Sequence, residues 1–345
     1  MDFTILNKQI PPPDSEAATR ALARWNNIAK PTGSLGQLED MVVRLAALRS
    51  DEDVRLEKRA VLVLCADNGV VAQGIAQTPP EITATMAEFI ARGRSSVCCM
   101  ARMARADVLT VDMGMFRRVD AKGLLDRRIA NGTRDISLGA AMTKEQANQA
   151  IQEGIDLVRC CKNQGYQILA TGEMGIGNTT TSSAIASVLL NRSSDEMTGR
   201  GAGLSDAGFK NKKTVIRRAI TINKPDPDDA MDVLHKLGGF DIAGMCGIFI
   251  GGGLYRMPIV IDGFISAVSA LAAARLCPAA SSCMFPSHIS AEPAASLVLS
   301  ALGLKPLIDA GMRLGEGTGA VAVLPLLDMA LEVYHELMTF ADIGM

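Results

Sequence analysis

A doubly wound α/β fold with a mainly parallel, Rossmann-like sheet is predicted by three features of this 345-residue chain. Continuous apolar, β-branched runs recur, each run ends in a polar turn that carries an acid, and a helical pattern separates each run from the next. Strands buried on both faces have this texture, and open sheets of this kind take ligands at the carboxyl ends of their strands.

The chain begins without a strand. Pro11-Pro12-Pro13-Asp14-Ser15 closes a short opening segment, and Asp14 or Ser15 is placed to cap a helix from Glu16 to about Ala29. Lys30 to Gly36 reads as a loop and Gln37 to Ser50 as a second amphipathic helix. Then Ala60–Cys65 (AVLVLC) reads as a buried strand ending in Ala66-Asp67-Asn68-Gly69. Asp107–Asp112 ends in Met113-Gly114, Gln167–Ala170 in Thr171-Gly172-Glu173, and Pro258–Ile261 in Asp262-Gly263. Helical patterns cover Pro80–Met103, Lys144–Asn163, Thr179–Asn191 and Phe264–Leu276. Asp67, Asp112, Glu173 and Asp262 therefore gather on one edge, although Asp67 and Asp112 taken singly read as helix caps. A last helix, Pro325–Phe340, carries an apolar stripe at Leu327, Ala330, Leu331, Tyr334 and Met338. It pairs with the opening helices in a small helical domain, residues 1–55 with 326–345, beside a large α/β domain, 56–325.

Composition narrows the function classes. Hydrophobic residues at 48% and charged ones at 21% describe a globular chain, and its length exceeds what one core usually supports. A net charge of −2 with no basic tract argues against nucleic acid, as does an aromatic content of only 4%. Pro258, Asp262 and Gly263 interrupt the apolar region from Met257 to Leu276, which argues against a membrane span. The eight cysteines (Cys65, Cys98, Cys99, Cys160, Cys161, Cys246, Cys277 and Cys283) form no C-x-x-C pair, and no signal peptide is evident. They read as reduced core residues of a cytoplasmic protein, and His235, His288 and His335 do not cluster with them as zinc ligands would.

Three segments carry chemistry. In Arg313-Leu314-Gly315-Glu316-Gly317-Thr318-Gly319-Ala320, glycines let the backbone turn sharply around one carboxylate between apolar neighbours. Glu316 so placed is expected to have a raised pKa and to take up a proton near neutrality; the plainer alternative is a glycine turn with a surface acid. Gly172 to Thr181 follows a strand and opens a helix, so Gly175, Gly177, Asn178, Thr179 and Thr180 are candidates to hold a phosphate at a positive helix end. Its spacing imitates a P-loop, but Asn178 stands where that motif needs lysine, which argues against a nucleotide kinase. In Gly199–Ser205, Gly201 and Gly203 make a second glycine loop, and of the cations after it (Lys210, Lys212, Lys213, Arg217, Arg218) Lys212 is the one assigned to the site. Asp226, Asp228 and Asp229 share a helix-leading turn with Pro225 and Pro227 and imply no metal.

Taken in order, KPTGSLGQLE, CADNGV, GEMGIGNTT, the Lys212 region, GGFDIAG, DGF, PSHISAEP and RLGEGTGA resemble the nicotinate-nucleotide:dimethylbenzimidazole phosphoribosyltransferase family over essentially the whole chain. The resemblance implies transfer of phosphoribose from nicotinate mononucleotide to an aromatic base, giving the α-ribotide of a cobamide lower ligand, with no metal and no cofactor. It implies Glu316 as general base, Glu173 as a second acid near the ribose and Lys212 in the nucleotide site. Asn68 departs from the family's common A-D-H-G turn. The implied acceptor pocket falls on Thr78, Met86, Met174, Asp241 and Leu314. Some relatives carry Gln at Met86, so this apolar version leaves room for a phenol as well as a benzimidazole. Apolar stripes on the terminal helices suggest a dimer, of like chains or with a related one, but fit internal core equally well.

Overall fold

The computed structural model describes residues 1–344. Six strands form one all-parallel sheet: β1 (Arg59–Ala66), β2 (Ala106–Gly114), β3 (Leu124–Asp126), β4 (Ile168–Met174), β5 (Ile259–Ile261) and β6 (Met284–Pro286). Their order is β3-β2-β1-β4-β5-β6, so the chain reverses direction across the sheet between β1 and β4. A crevice opens at such a reversal, outside the carboxyl ends of the strands. All eight residues of β1 are buried, which accounts for its unbroken apolar sequence.

The first three helices are α1 (Phe3–Gln9), α2 (Ser15–Asn27) and α3 (Gln37–Arg49); α4 (Glu81–Ala91) and α5 (Ser96–Met103) link β1 to β2. Next come α6 (Lys144–Asn163), α7 (Asn178–Leu189), α8 (Ser194–Met197), α9 (Asp206–Asn223), α10 (Ala230–Leu237) and α11 (Phe240–Leu254). The series ends with α12 (Phe264–Leu276), α13 (Ala295–Ala301) and α14 (Thr318–Glu336). Helices α6, α11 and α12 pack together on one side of the sheet, while α4, α5 and α14 lie against β2 and β4 on the other. Asp14 caps α2 as expected, accepting the N–H groups of Glu16 and Ala17.

Several boundaries differ from expectation. The helix expected over Pro80–Met103 is two, broken where Gly93 adopts a φ of +72°. Strand β4 runs on through Thr171 and Gly172, so Glu173 sits on the strand itself rather than in the turn after it. The last helix starts at Thr318, seven residues before Pro325, which lies inside it. Asp67 and Asp112 cap no helix. Asp67 accepts the Phe116 N–H, and Asp112 closes its own turn through the Gly114 and Met115 N–H groups while pairing with Arg128 at 2.8 Å. Strands β3 and β6, three residues each, were not anticipated.

Both chain ends meet in one helical layer. Trp25 of α2 packs on Tyr334 of α14 with ring centroids 5.0 Å apart, and the Phe340 N–H donates to the Asn27 carbonyl. Residue 326 falls inside α14, and the buried apolar side chains from Ile10 to Tyr334 form a single cluster. Among the described residues no helix is long and apolar enough to cross a membrane, and no cysteine is paired; Cys99 is exposed rather than in the core.

Candidate active site

The site is built at the carboxyl ends of β1, β4, β5 and β6. Asp262, just beyond β5, accepts three backbone N–H groups at the start of α14: Gly317 at 3.2 Å, Gly319 at 2.8 Å and Ala320 at 3.0 Å. This ties down the turn before the helix, in which Gly315, Glu316 and Gly317 all have left-handed φ angles of +87°, +61° and +92°. Glycine takes this conformation freely; Glu316 takes it at a cost of about 1 kcal/mol or more. The strain aims its side chain. Only 7% exposed, Glu316 accepts the Val97 N–H at 3.1 Å, so its carboxylate rests on the positive amino end of α5.

Glu173 stands beside it. Its Oε1 is so close to the Gly315 backbone that a Cβ there would lie 2.5 Å away, and the φ of +87° at this position also favours glycine. The Asn178 amide donates both to Glu173 Oε2 and, at 3.1 Å, to Asp241 Oδ2. Burial pushes the Glu173 carboxyl up to about 8, helped by the charges of Asp241, Asp262 and Glu316 and opposed by the Asn178 hydrogen bond. Asp241, wholly buried, is raised to about 6 by the same desolvation. Burial thus disfavours the charged form of both carboxyl groups, and more strongly for Glu173.

Lys212 supplies the opposite charge. Its stem is buried in α9 and its Nζ donates to Thr179 Oγ1 at 2.8 Å, next to the start of α7. Burial lowers the Lys212 amine to about 8, while the charge of Glu292 acts to raise it. Gly175 lets the turn after β4 cross the end of β1, because a Cβ there would meet the Ala66 carbonyl at 2.3 Å.

These groups enclose a cavity of about 200 Å³ lined by Glu173, Met174, Gly175, Asn178, Thr179, Gly201, Leu314, Gly315 and Glu316, among others. A smaller cavity of about 90 Å³ adjoins it through Gly175, Asn178, Thr179 and Gly201 and adds Thr78, Gly177, Gly203 and Lys212. Four sequence candidates lie outside both. Thr180 is fully buried in α7 with its hydroxyl unpaired, so it cannot reach a ligand phosphate in this arrangement. Met86 is half-buried on α4 and lines neither cavity. Asp241 holds Asn178 instead of facing an acceptor, and Gly317 gives its N–H to Asp262.

Lining residues to which the sequence reading gave no individual role include His288, Ser290, Glu292 and Arg313. The first three lie in PSHISAEP, directly after β6. The signal was there, a polar break closing an apolar run, but a three-residue strand is too short to announce its own end. His288 packs against Gly319, where a Cβ would come within 1.9 Å of its Nδ1, and hydrogen-bonds Ser287 at 3.1 Å.

Residues 10–345 match the phosphoribosyltransferase family. The chain belongs to it. Two relatives named nicotinate-nucleotide--dimethylbenzimidazole phosphoribosyltransferase are each 44% identical. The Acetivibrio thermocellus protein aligns over 319 residues, 92% of this chain and 91% of its own, and the Ruminiclostridium cellulolyticum protein over 327, 95% and 93% respectively. The crystal structure of CobT from Thermus thermophilus superposes with a TM-score of 0.91 at 36% identity, covering 96% of this chain and 99% of that one. The arrangement brings together a buried cation bonded to a hydroxyl and two buried carboxyl groups around adjoining cavities.

Proposed function

We infer that this phosphoribosyltransferase moves the phosphoribosyl group of nicotinate mononucleotide to a lower-ligand base, dimethylbenzimidazole or a related benzimidazole, releasing nicotinate and the α-ribotide for cobamide synthesis. One observation carries the reading: Glu173 and Glu316 face the same cavity while Lys212 and Thr179 stand across from them. The phosphate lies at Lys212 and Thr179. The anomeric carbon then lies between the carboxyl groups, and the incoming ring enters past Met174 and Leu314.

The bond between the ribose carbon and the pyridinium nitrogen breaks with its electron pair going to nitrogen, so nicotinate leaves with a neutral ring and needs no general acid. The acceptor's bare ring nitrogen forms the new bond with its lone pair from the opposite face, and the other ring nitrogen passes its N–H proton to Glu316. Glu173 holds a proton near neutrality in the empty site; the positive pyridinium ring arriving beside it favours its carboxylate, which then steadies the developing oxocarbenium ion. Asn178, fixed by Asp241, keeps that carboxyl turned to the sugar. The reading further takes the enzyme to be a cytoplasmic dimer.

Replacing Glu316 with Gln tests the assignment. The expected outcome is a fall in kcat of about 10²-fold or more with nicotinate mononucleotide affinity nearly unchanged, measured by turnover and calorimetry. A variant that turns over at the wild-type rate refutes it. Incubation with nicotinate mononucleotide and a mixture of benzimidazoles, adenine and phenols, read by mass spectrometry of the ribotides, identifies the acceptor.

A further inference from the structure

Glycine loops over phosphate sites usually offer free N–H groups to the ligand. Here the central one is already taken. Gly201 donates its N–H to Glu292 Oε1 at 2.9 Å, and Gly199 lies so close that a Cβ would fall 1.8 Å from Glu292 Oε2. That second oxygen is buried without a partner. The loop has closed around a carboxylate.

Glu292 is itself held in place. Its segment is tied to the strand-like stretch leading to Glu316 through Ile289 N–H to the Ile308 carbonyl and Ala291 N–H to the Met312 carbonyl. On its other side the loop touches the two side chains assigned to the phosphate: a Cβ on Gly201 would stand 3.0 Å from Thr179 Oγ1 and 3.5 Å from Lys212 Nζ. Because Thr179 accepts from Lys212, its own hydroxyl proton remains free for a ligand oxygen.

We propose that Glu292 is a positioning residue for nucleotide binding: it latches the Gly199–Gly203 loop against Lys212 and Thr179 and supplies the counter-charge that keeps the Lys212 ammonium ready for the phosphate. This rests on the phosphoribosyl-transfer reading above. Among the described residues Lys212 makes no ion pair, and the loop that packs against its Nζ is the one that holds Glu292, whose negative charge favours the ammonium. Arg200 of the loop is turned to Asp206 and the Leu204 carbonyl, Arg217 on α9 pairs with Asp195 of α8, and α7 presents only the Thr179 hydroxyl.

Glu292→Ala and Glu292→Gln separate the latch from the charge. Alanine releases the loop and removes the charge; glutamine keeps an oxygen for the Gly201 N–H and loses only the charge. Glu292→Ala is expected to raise the KM for nicotinate mononucleotide about tenfold with kcat within about twofold, and Glu292→Gln to restore KM near neutral pH. In both variants the alkaline rise in KM, where Lys212 gives up its proton, begins at lower pH than in the wild type, because removing a neighbouring anion makes the ammonium easier to deprotonate. A general loss of packing would not move that limb. Thermal stabilisation by inorganic phosphate, measured on the same proteins, follows the same order and needs no turnover, so a wild type that fails to transfer phosphoribose still leaves the latch testable. Wild-type KM and phosphate stabilisation in Glu292→Ala, or an unmoved alkaline limb in Glu292→Gln, overturns the proposal; should the alanine variant fail to fold, the glutamine variant decides.

Discussion

Glu173 shows what a buried acid does to the protein that keeps it. Its carboxyl is raised from 4.5 to about 8, so the folded state prefers the protonated form while the unfolded chain is ionised above about pH 4.5. Between those values the folded state binds more protons than the unfolded one. The contribution to stability is therefore fully present below about 4.5 and is lost as pH rises through about 8. Glu173→Gln keeps an oxygen for Asn178 and removes the titration. It is expected to stabilise the protein by on the order of a few kcal/mol at pH 7.5, to do nothing at pH 4, and to lower kcat. Denaturant unfolding at the two pH values checks the sign, and a variant less stable than wild type at pH 7.5 contradicts it. Residue identity at this position was legible in the sequence because Gly172 and Gly175 flank the acid. The roles of Thr180 and Asp241 were not. Whether a hydroxyl or carboxylate on a helix faces the cavity or the layer behind it depends on helix phase, and neither the run of hydroxyl residues that opens α7 nor the almost wholly buried α11 shows that phase in its sequence.

At the scale of elements, the alignment of Glu316 depends on how α14 begins. Pro325 resembles a helix start in the sequence, since proline is favoured in a first turn, and this drew the expected boundary seven residues too late. The decisive partner, Asp262, is 55 residues or more away along the chain, and no local pattern reveals that it will take the N–H groups of Gly317, Gly319 and Ala320. Most longer elements were readable: α6 and α12 have the boundaries that their apolar periodicity gives, and β1 extends its run by one residue at each end. Short β3 and β6 carry too few residues for any period. Asp262→Ala leaves those three buried donors unpaired, and is expected to cost roughly 2 kcal/mol or more and to lower kcat together with stability. Asp262→Asn keeps one acceptor oxygen and should fall between. Chemical denaturation alongside turnover reads both; an alanine variant with unchanged kcat would separate Asp262 from the aim of Glu316.

Across the whole molecule, α14 is the element that joins the candidate site to the architecture. Its amino end positions Glu316 and its carboxyl end carries Tyr334, stacked on Trp25 in the layer formed by the two chain ends. A division into residues 1–55 with 326–345 and residues 56–325 would cut through this helix. Two units that fold separately would each need their own boundary of exposed linker, whereas the buried cluster runs without a break from Ile10 through β1 to Tyr334. Trp25 is the chain's single tryptophan and is 1% exposed, so its fluorescence reports on the terminal layer alone, while far-ultraviolet circular dichroism is dominated by the many helices around the sheet. Coincident midpoints of the two signals in guanidinium are expected, with the loss of nicotinate mononucleotide binding at the same concentration. A fluorescence transition that precedes the other two would mean that the layer unfolds alone and that the helix frays at Leu327 while Glu316 stays in place.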